Sequence, residues 1–412
     1  MARRAPILLA GTLAAILQCG AATSQTAPSS LVNTQVQLGD VFSGQQLNVV
    51  EIDEATSGQT AATANAFSAG ADGVDLDMRT NQTAHGAVLA DTRLDVAVHS
   101  GANTDLETIA TGNGGDATVS GAVLTSVFNQ TTGPTTVTGH SHIEAPEAAV
   151  GDLTATVTAQ GNRQAIGLTT AAVGGLVHQN NAATVTSDGG GIYGEVTGTA
   201  RFAATTEANS LTSSGDGGSA QRYIIQQRNT ADLTQAAQFT AFGSAAGAQT
   251  SASATGNLTN AYNEGGLLDV SNNQINQAYV RAQGDSSAYL FGAASTDATA
   301  IGNNLLAGEI GDEIVLDNVQ LNSGGGVEAV ASFEGNSGYD GMATATAMGN
   351  SAVGYACSEC NGRMSVTNDQ TNEVDVGAGA QTTVATHGRS VSGTATAVGN
   401  SGNYYVSGRP SH

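Results

Sequence analysis

Few residues in this chain are spaced for chemistry. Asp75, Asp77 and Arg79 alternate along residues 74–79 and would fall on one face of a strand. Two carboxylates beside a basic residue are what a polysaccharide lyase or hydrolase needs for proton transfer at a glycosidic bond. A solvated strand face accounts for the same pattern and is the expectation. Asp312-Glu313 and Glu144 with Glu147 are weaker, standing singly in turn-like contexts. His140 and His142 place two imidazoles on one strand face, yet no cysteine or third histidine stands close enough in sequence to complete a metal site.

Cys357 and Cys360 are the cysteine pair expected in the exported chain, and a local disulfide loop is the expected state in an oxidising compartment. Zinc would need two further ligands, with only His387 near in sequence. Gly114-Gly115-Asp116 and Gly215-Asp216-Gly217-Gly218 are Gly/Asp turns without the nine-residue tandem that makes calcium turns specific. Asn81-Gln82-Thr83 is a glycosylation acceptor only in a suitable host. No cofactor or metal site is expected.

Composition narrows the function classes. All 12 basic residues are arginine, against 35 Asp and Glu, so the net charge is −23. Nucleic acid binding needs a basic footprint and is excluded as an expectation. The absence of lysine removes Schiff-base and P-loop phosphoryl-transfer chemistry. With 54 glycines, 5 prolines and no tryptophan, the apolar share rests on Ala, Val and Leu, which implies a narrow core.

Residues 1–27 read as a secretory signal, with Arg3 and Arg4 as the basic region, an apolar stretch from Pro6 to Gly20, and small residues after it. Cleavage after Ala22 fits, with Ala21 and Ala27 as competing sites. Lipidation at Cys19 is the alternative, although Gln18 is larger than the residue that usually precedes a lipidated cysteine. Without the leader, 10 arginines face 35 carboxylates and the charge is −25. Residues 28–412 read as one repetitive surface domain.

The repeat organises everything else. A small-residue segment ending in asparagine recurs at Asn65, Asn113, Asn162, Asn209, Asn257, Asn303, Asn350 and Asn400, at intervals of 46 to 50 residues. A second series runs in step: Asn33, then Asn81, Asn129, Asn180, Asn229, Asn276, Asn322 and Asn372, the last seven within two residues of a glutamine. Residues 344–351 and 394–401 are identical at seven of eight positions. Between the markers, period-two alternation such as Val374-Asp375-Val376 signals strands. Gly114-Gly115, Gly189-Gly190-Gly191 and Gly324-Gly325-Gly326 read as turns between them.

The expected fold is all-β: an elongated β-solenoid of about eight repeats of about 48 residues, each unit burying its apolar face against its neighbours. Marker separations within a unit lean toward two or three coils per repeat. Asparagines at equivalent coil positions would stack into amide ladders, and glycine beside asparagine would serve a left-handed corner.

The exported, lysine-free chain with its Ala-Thr-Ala-x-Gly-Asn and Gln-x-Asn units resembles the holdfast anchor proteins of stalked bacteria, of the HfaD type, from about residue 31 onward. Its Gly-Asn and Gln/Asn markers also resemble curli-type subunits, whose repeats are about half as long. The first resemblance implies an outer-membrane-associated surface protein that fixes an adhesive polysaccharide to the cell. Implied partners are other holdfast anchor proteins, including a curli-secretion-like outer-membrane component. The acidic rod adds an expectation of its own, that the polymer is an amino-sugar, cationic glycan. Stacked amides suggest amyloid-like self-association. A non-enzymatic anchor is the expectation; a secreted β-helical polysaccharide-active enzyme or a general adhesin are the alternatives, and replacing Asp75 and Asp77 together separates the first two.

Overall fold

The computed structural model describes residues 28–357 and 362–407. The leader at 1–27, with Cys19 and the cleavage sites, and Cys360 with its disulfide lie outside the described residues. What is described is strand almost throughout. In chain order β1 (Ser29–Gln37), β2 (Val41–Ile52) and β3 (Ala55–Asp72) are followed by β4 (Leu76–Ala84), β5 (Val88–Ser100) and β6 (Asn103–Ser120). Then come β7 (Val123–Thr132), β8 (Thr136–Val150), β9 (Asp152–Thr169) and β10 (Ala172–Asn181). Longer runs follow: β11 (Thr184–Asn229), β12 (Leu233–Asn276), β13 (Tyr279–Glu309), β14 (Glu313–Asn322) and β15 (Val327–Ala356). The last three are β16 (Arg363–Asn372), β17 (Val376–His387) and β18 (Ser390–Val406).

The strands pair in parallel and join residues one marker interval apart. β1 pairs with β4 and β4 with β7, β2 with β5 and β5 with β8, β3 with β6 and β6 with β9. The chain is all-β, one large parallel sheet, consistent with a β-solenoid. Each 48-residue unit is a single coil of three strand segments, not two or three coils. Asn65 pairs with Asn113, and among the described residues no strand pairs in register at half or a third of that interval. The shorter marker separations are distances around one coil.

Alternation decides what faces inward. In β4, Leu76, Met78 and Thr80 are buried while Asp77 and Arg79 point out. The Thr-Ala-Thr-Ala motif works the same way: Ala345 and Ala347 are buried, in register with Ala298 and Ala300. An alanine row fits because it packs against a second small-residue row that includes Val280, Ala282, Val327 and Ala329. Bulkier interior is local, as where Phe291 and Phe333 meet edge to face at 5.0 Å.

The glycines depart from the turn reading. Gly114 and Gly115 lie inside β6 and Gly189, Gly190 and Gly191 inside β11; only the Gly324 group sits at a turn, with Gly324 at φ +98°. Inside the strands the requirement is space: a Cβ on Gly115 would stand 2.3 Å from Gln164 Oε1, and one on Gly190 2.2 Å from Phe239 O. The glycines before the ladder asparagines are likewise not left-handed. A Cβ on Gly302 would meet Gly349 O at 2.5 Å and Asn322 Cγ at 2.9 Å, so the missing side chain makes room for a neighbouring amide.

Candidate functional site

Two amide ladders run the length of the interior. In the first, Asn65 donates its side-chain N–H to Asn113 Oδ1, Asn113 to Asn162, and so on through Asn209, Asn257, Asn303 and Asn350 to Asn400, at 2.7–2.8 Å. The second amide hydrogen goes to a backbone carbonyl of the adjoining strand, as from Asn113 to Thr131 O at 2.9 Å and Asn303 to Leu321 O at 2.9 Å. Burial with full satisfaction is the condition under which such amides stabilise rather than cost.

The second ladder is made of glutamines. Gln82 donates to Gln35 Oε1, Gln130 to Gln82, Gln179 to Gln130, and the series continues through Gln227, Gln274, Gln320 and Gln370 at 2.7–2.9 Å. Its donors point toward the N-terminus, opposite to the first ladder. The series of asparagines beside these glutamines is only partly a ladder. Asn229, Asn276, Asn322 and Asn372 stack in register, but the residue that begins the stack is Asn181, not Asn180. Asn180 lies in register with Thr131 and Arg228, one residue off, and the pleat turns its side chain to the other face. Asn81 and Asn129 bond each other on the exposed side at 2.8 Å, and there the row ends, because His178 follows Asn129. Gln-Asn spacing is the signal in the sequence: the residue one place before each stacking asparagine alternates outward, and the one two places before points in.

The outward candidates are dispersed. Asp75 Oδ1 accepts from Val123 N at 2.9 Å, tying one coil to the next, while Asp77 and Arg79 face solvent. His140 Nδ1 stands 2.6 Å from Asp91 Oδ1, and His142 Nε2 3.2 Å from Glu144 Oε2. Glu313 pairs with Arg363 one coil on, at 3.6 Å. Glu147 is exposed in β8, where pairing with β5 and β11 skips register. Among the described residues no three His, Cys, Asp or Glu side chains group as metal ligands.

One carboxyl is internal. Glu309 is 1 % exposed, its Oε2 accepting from Asn263 Nδ2 at 2.9 Å and its Oε1 from Gly265 N at 3.2 Å. Burial pushes it up to about 7, and the nearby Asp312 charge adds to the rise. Tyr262 is pushed up to about 12 by desolvation and by its hydrogen bond to Glu264.

Two open grooves mark the surface. One of about 880 Å³ follows the coil corners past Asp72, Thr169, Asp216 and Glu264. The other, of about 550 Å³, crosses five coils on the β8, β11, β12, β13 and β15 face, past His142, Asp188, Phe239, Asp285 and Glu334. Sequence reading misses it, because Gly190 and Phe239 become neighbours only once the coil period is applied.

An acidic, ladder-locked parallel-β chain with an open polar surface defines the class: a repetitive scaffold consistent with a β-solenoid. Within that class the chain belongs to the holdfast attachment protein D (HfaD) family, whose model matches residues 50–326. The same Asn ladder continues past the matched span to Asn350 and Asn400. Neither a curated protein nor a solved structure matches the chain.

Proposed function

We propose that this protein is a non-enzymatic anchor that holds an adhesive, amine-bearing polysaccharide at the bacterial outer surface, built as a rod of eight coils and exported behind a cleaved leader. Membership of the holdfast attachment family carries the reading. The rod supplies the physical means. Several of its arginines are neutralised by carboxylates, as in Arg222–Asp269 and Arg281–Glu328, each pair spanning adjacent coils. The remaining excess of carboxylates gives a long, stiff, negative surface suited to a cationic polymer. Other anchor proteins, including a curli-secretion-like outer-membrane component, would deliver and seat the rod, and coils of neighbouring copies would associate.

The half-buried, solvent-facing setting of Asp77, the exposed Arg79 and the structural hydrogen bond at Asp75 favour an anchor over an enzyme built on that cluster. The test is capture of isolated adhesive polymer by the immobilised protein across an ionic-strength series. Capture that falls steeply as the Debye length shrinks to about 3 Å near 1 M salt is expected. Absence of capture at low salt, or shortening of the polymer during the assay, contradicts the reading.

A further inference from the structure

The 550 Å³ groove brings exposed apolar side chains and carboxylates together on one face. Its residues stand in register rows across the strands. Asp188 lies beside His140, Gly190 lies between His142 and Phe239, and Ile192 lies between Glu144 and Ala241. Phe239 is 44 % exposed and Ile192 41 %, on a face whose other outward positions are mostly polar. Phe42 and Tyr289 are exposed elsewhere, as are Tyr339 and Tyr405, whose rings have partners: Arg389 stands 5.8 Å from the Tyr339 ring, and Tyr405 stacks on Tyr355 at 6.0 Å.

Gly190 is what opens the space. The approach of Phe239 O forbids a side chain there, so the row from His142 to Phe239 has bare backbone at its centre. Strands are spaced about 4.8 Å apart, so imidazole and phenyl flank a gap about 10 Å across. Asp188, Asp285 and Glu334 stand around it, and no arginine is among its lining residues.

We propose that this groove is a binding subsite for a glycan whose pyranose units carry free ammonium groups; the proposal rests on the attachment reading above and names the face that performs it. The C–H face of a pyranose ring packs on Phe239 and Ile192, where apolar surface is already exposed. An ammonium group finds the carboxylates of Asp188, Asp285 and Glu334 as charge-assisted acceptors, with the Phe239 ring within reach for a cation–π contact. The polymer lies along the rod, since one coil advances by about 4.8 Å, comparable with the length of one sugar ring. The net negative charge draws the polymer in, and the groove sets its register.

The experiment is calorimetric titration of the full chain with three probes: a β-1,4-glucosamine hexamer, its fully N-acetylated counterpart, and hexalysine. The expected order has the glucosamine hexamer binding at least about tenfold more tightly than either of the others. Phe239→Ala, the double variant Asp188→Asn with Asp285→Asn, and Ala241→Arg, which sets a cation in the groove, each weaken it by about tenfold or more. All change exposed or half-exposed side chains, so the unfolding midpoint stays put; Asp77→Asn, on another face, binds as the parent does. Equal binding by all groove variants overturns the proposal, as does hexalysine binding as tightly as the sugar with Phe239→Ala silent. Capture of native polymer by the parent and by Phe239→Ala alike sinks the groove and leaves the anchor standing. Failure of the parent to capture native polymer sinks the attachment reading itself.

Discussion

Asn162 donates its side-chain N–H to Asn209 Oδ1 at 2.8 Å, toward the C-terminus, while in the adjoining segment Gln179 donates to Gln130 Oε1 at 2.8 Å, toward the N-terminus. These two ladders therefore carry opposed amide dipoles, and from Asn181 to Asn372 a further asparagine stack donates toward the C-terminus as the first does. Each of these rungs also bonds a backbone carbonyl of a neighbouring segment, Asn162 to Asn180 O and Gln179 to Ser210 O. A coil that slipped by one residue would lose both sets at once, which fixes register far more firmly than a core of alanine and valine would.

Asn162→Ala removes a rung from the middle of the ladder and leaves Asn209 Oδ1 without its ladder donor. A loss of about 3 kcal/mol is expected. Asn180→Ala, whose side chain holds no ladder bond, should change stability by less than about 0.5 kcal/mol. Denaturant unfolding of the two variants side by side checks this, and equal losses would mean that the ladder is not what holds the coils.

Glycines should sort by the space around them. Gly302→Ala places a Cβ 2.5 Å from Gly349 O and should cost more than about 2 kcal/mol. Gly377→Ala meets nothing within 4 Å and should be neutral or stabilise by up to about 1 kcal/mol through the unfolded chain. Thermal unfolding midpoints distinguish the two.

Glu309 gives the rod a pH dependence. Its folded pKa of about 7 lies above the ordinary 4.5, so the folded state holds the proton more tightly. The stability this confers is complete below pH 4.5 and is lost as pH rises toward 7, levelling off above that. Glu309→Gln should therefore be more stable than the parent at pH 8, by about 2 kcal/mol, with the gap closing by pH 4.5. A pH-independent gap would mean that the carboxyl titrates alike in the folded and unfolded chain.

The fold is largely legible in the sequence because its period is written in the residues: the asparagine intervals of 46 to 50 are the register of the sheet. Coil size is not, since the separation from Asn113 to Thr131 looks the same whether those residues stack or lie side by side around one coil. Asn180 passes for a rung because two asparagines stand together at 180 and 181, and only the pleat decides which points in. The strand glycines read as turns because a glycine forced by a neighbour's approach and one forced by positive φ look alike in sequence. The Phe239 groove depends on residues of five coils, none unusual alone.

Replacing Asp75 and Asp77 together by asparagine should leave polymer capture and polymer length unchanged. An amide oxygen at position 75 can still accept from Val123 N, and residue 77 faces solvent. Light scattering of the polymer after incubation reads length, and a loss of cleavage in the variant would reopen the enzyme reading.

The most direct measurement of the anchor claim follows surface attachment in cells lacking this protein, with the adhesive polysaccharide labelled and quantified on cells and in the medium. The account predicts that polymer is still made but is shed into the medium, and that the parent chain restores its retention. Normal attachment, or polymer retained on the cell but altered in length, would contradict it.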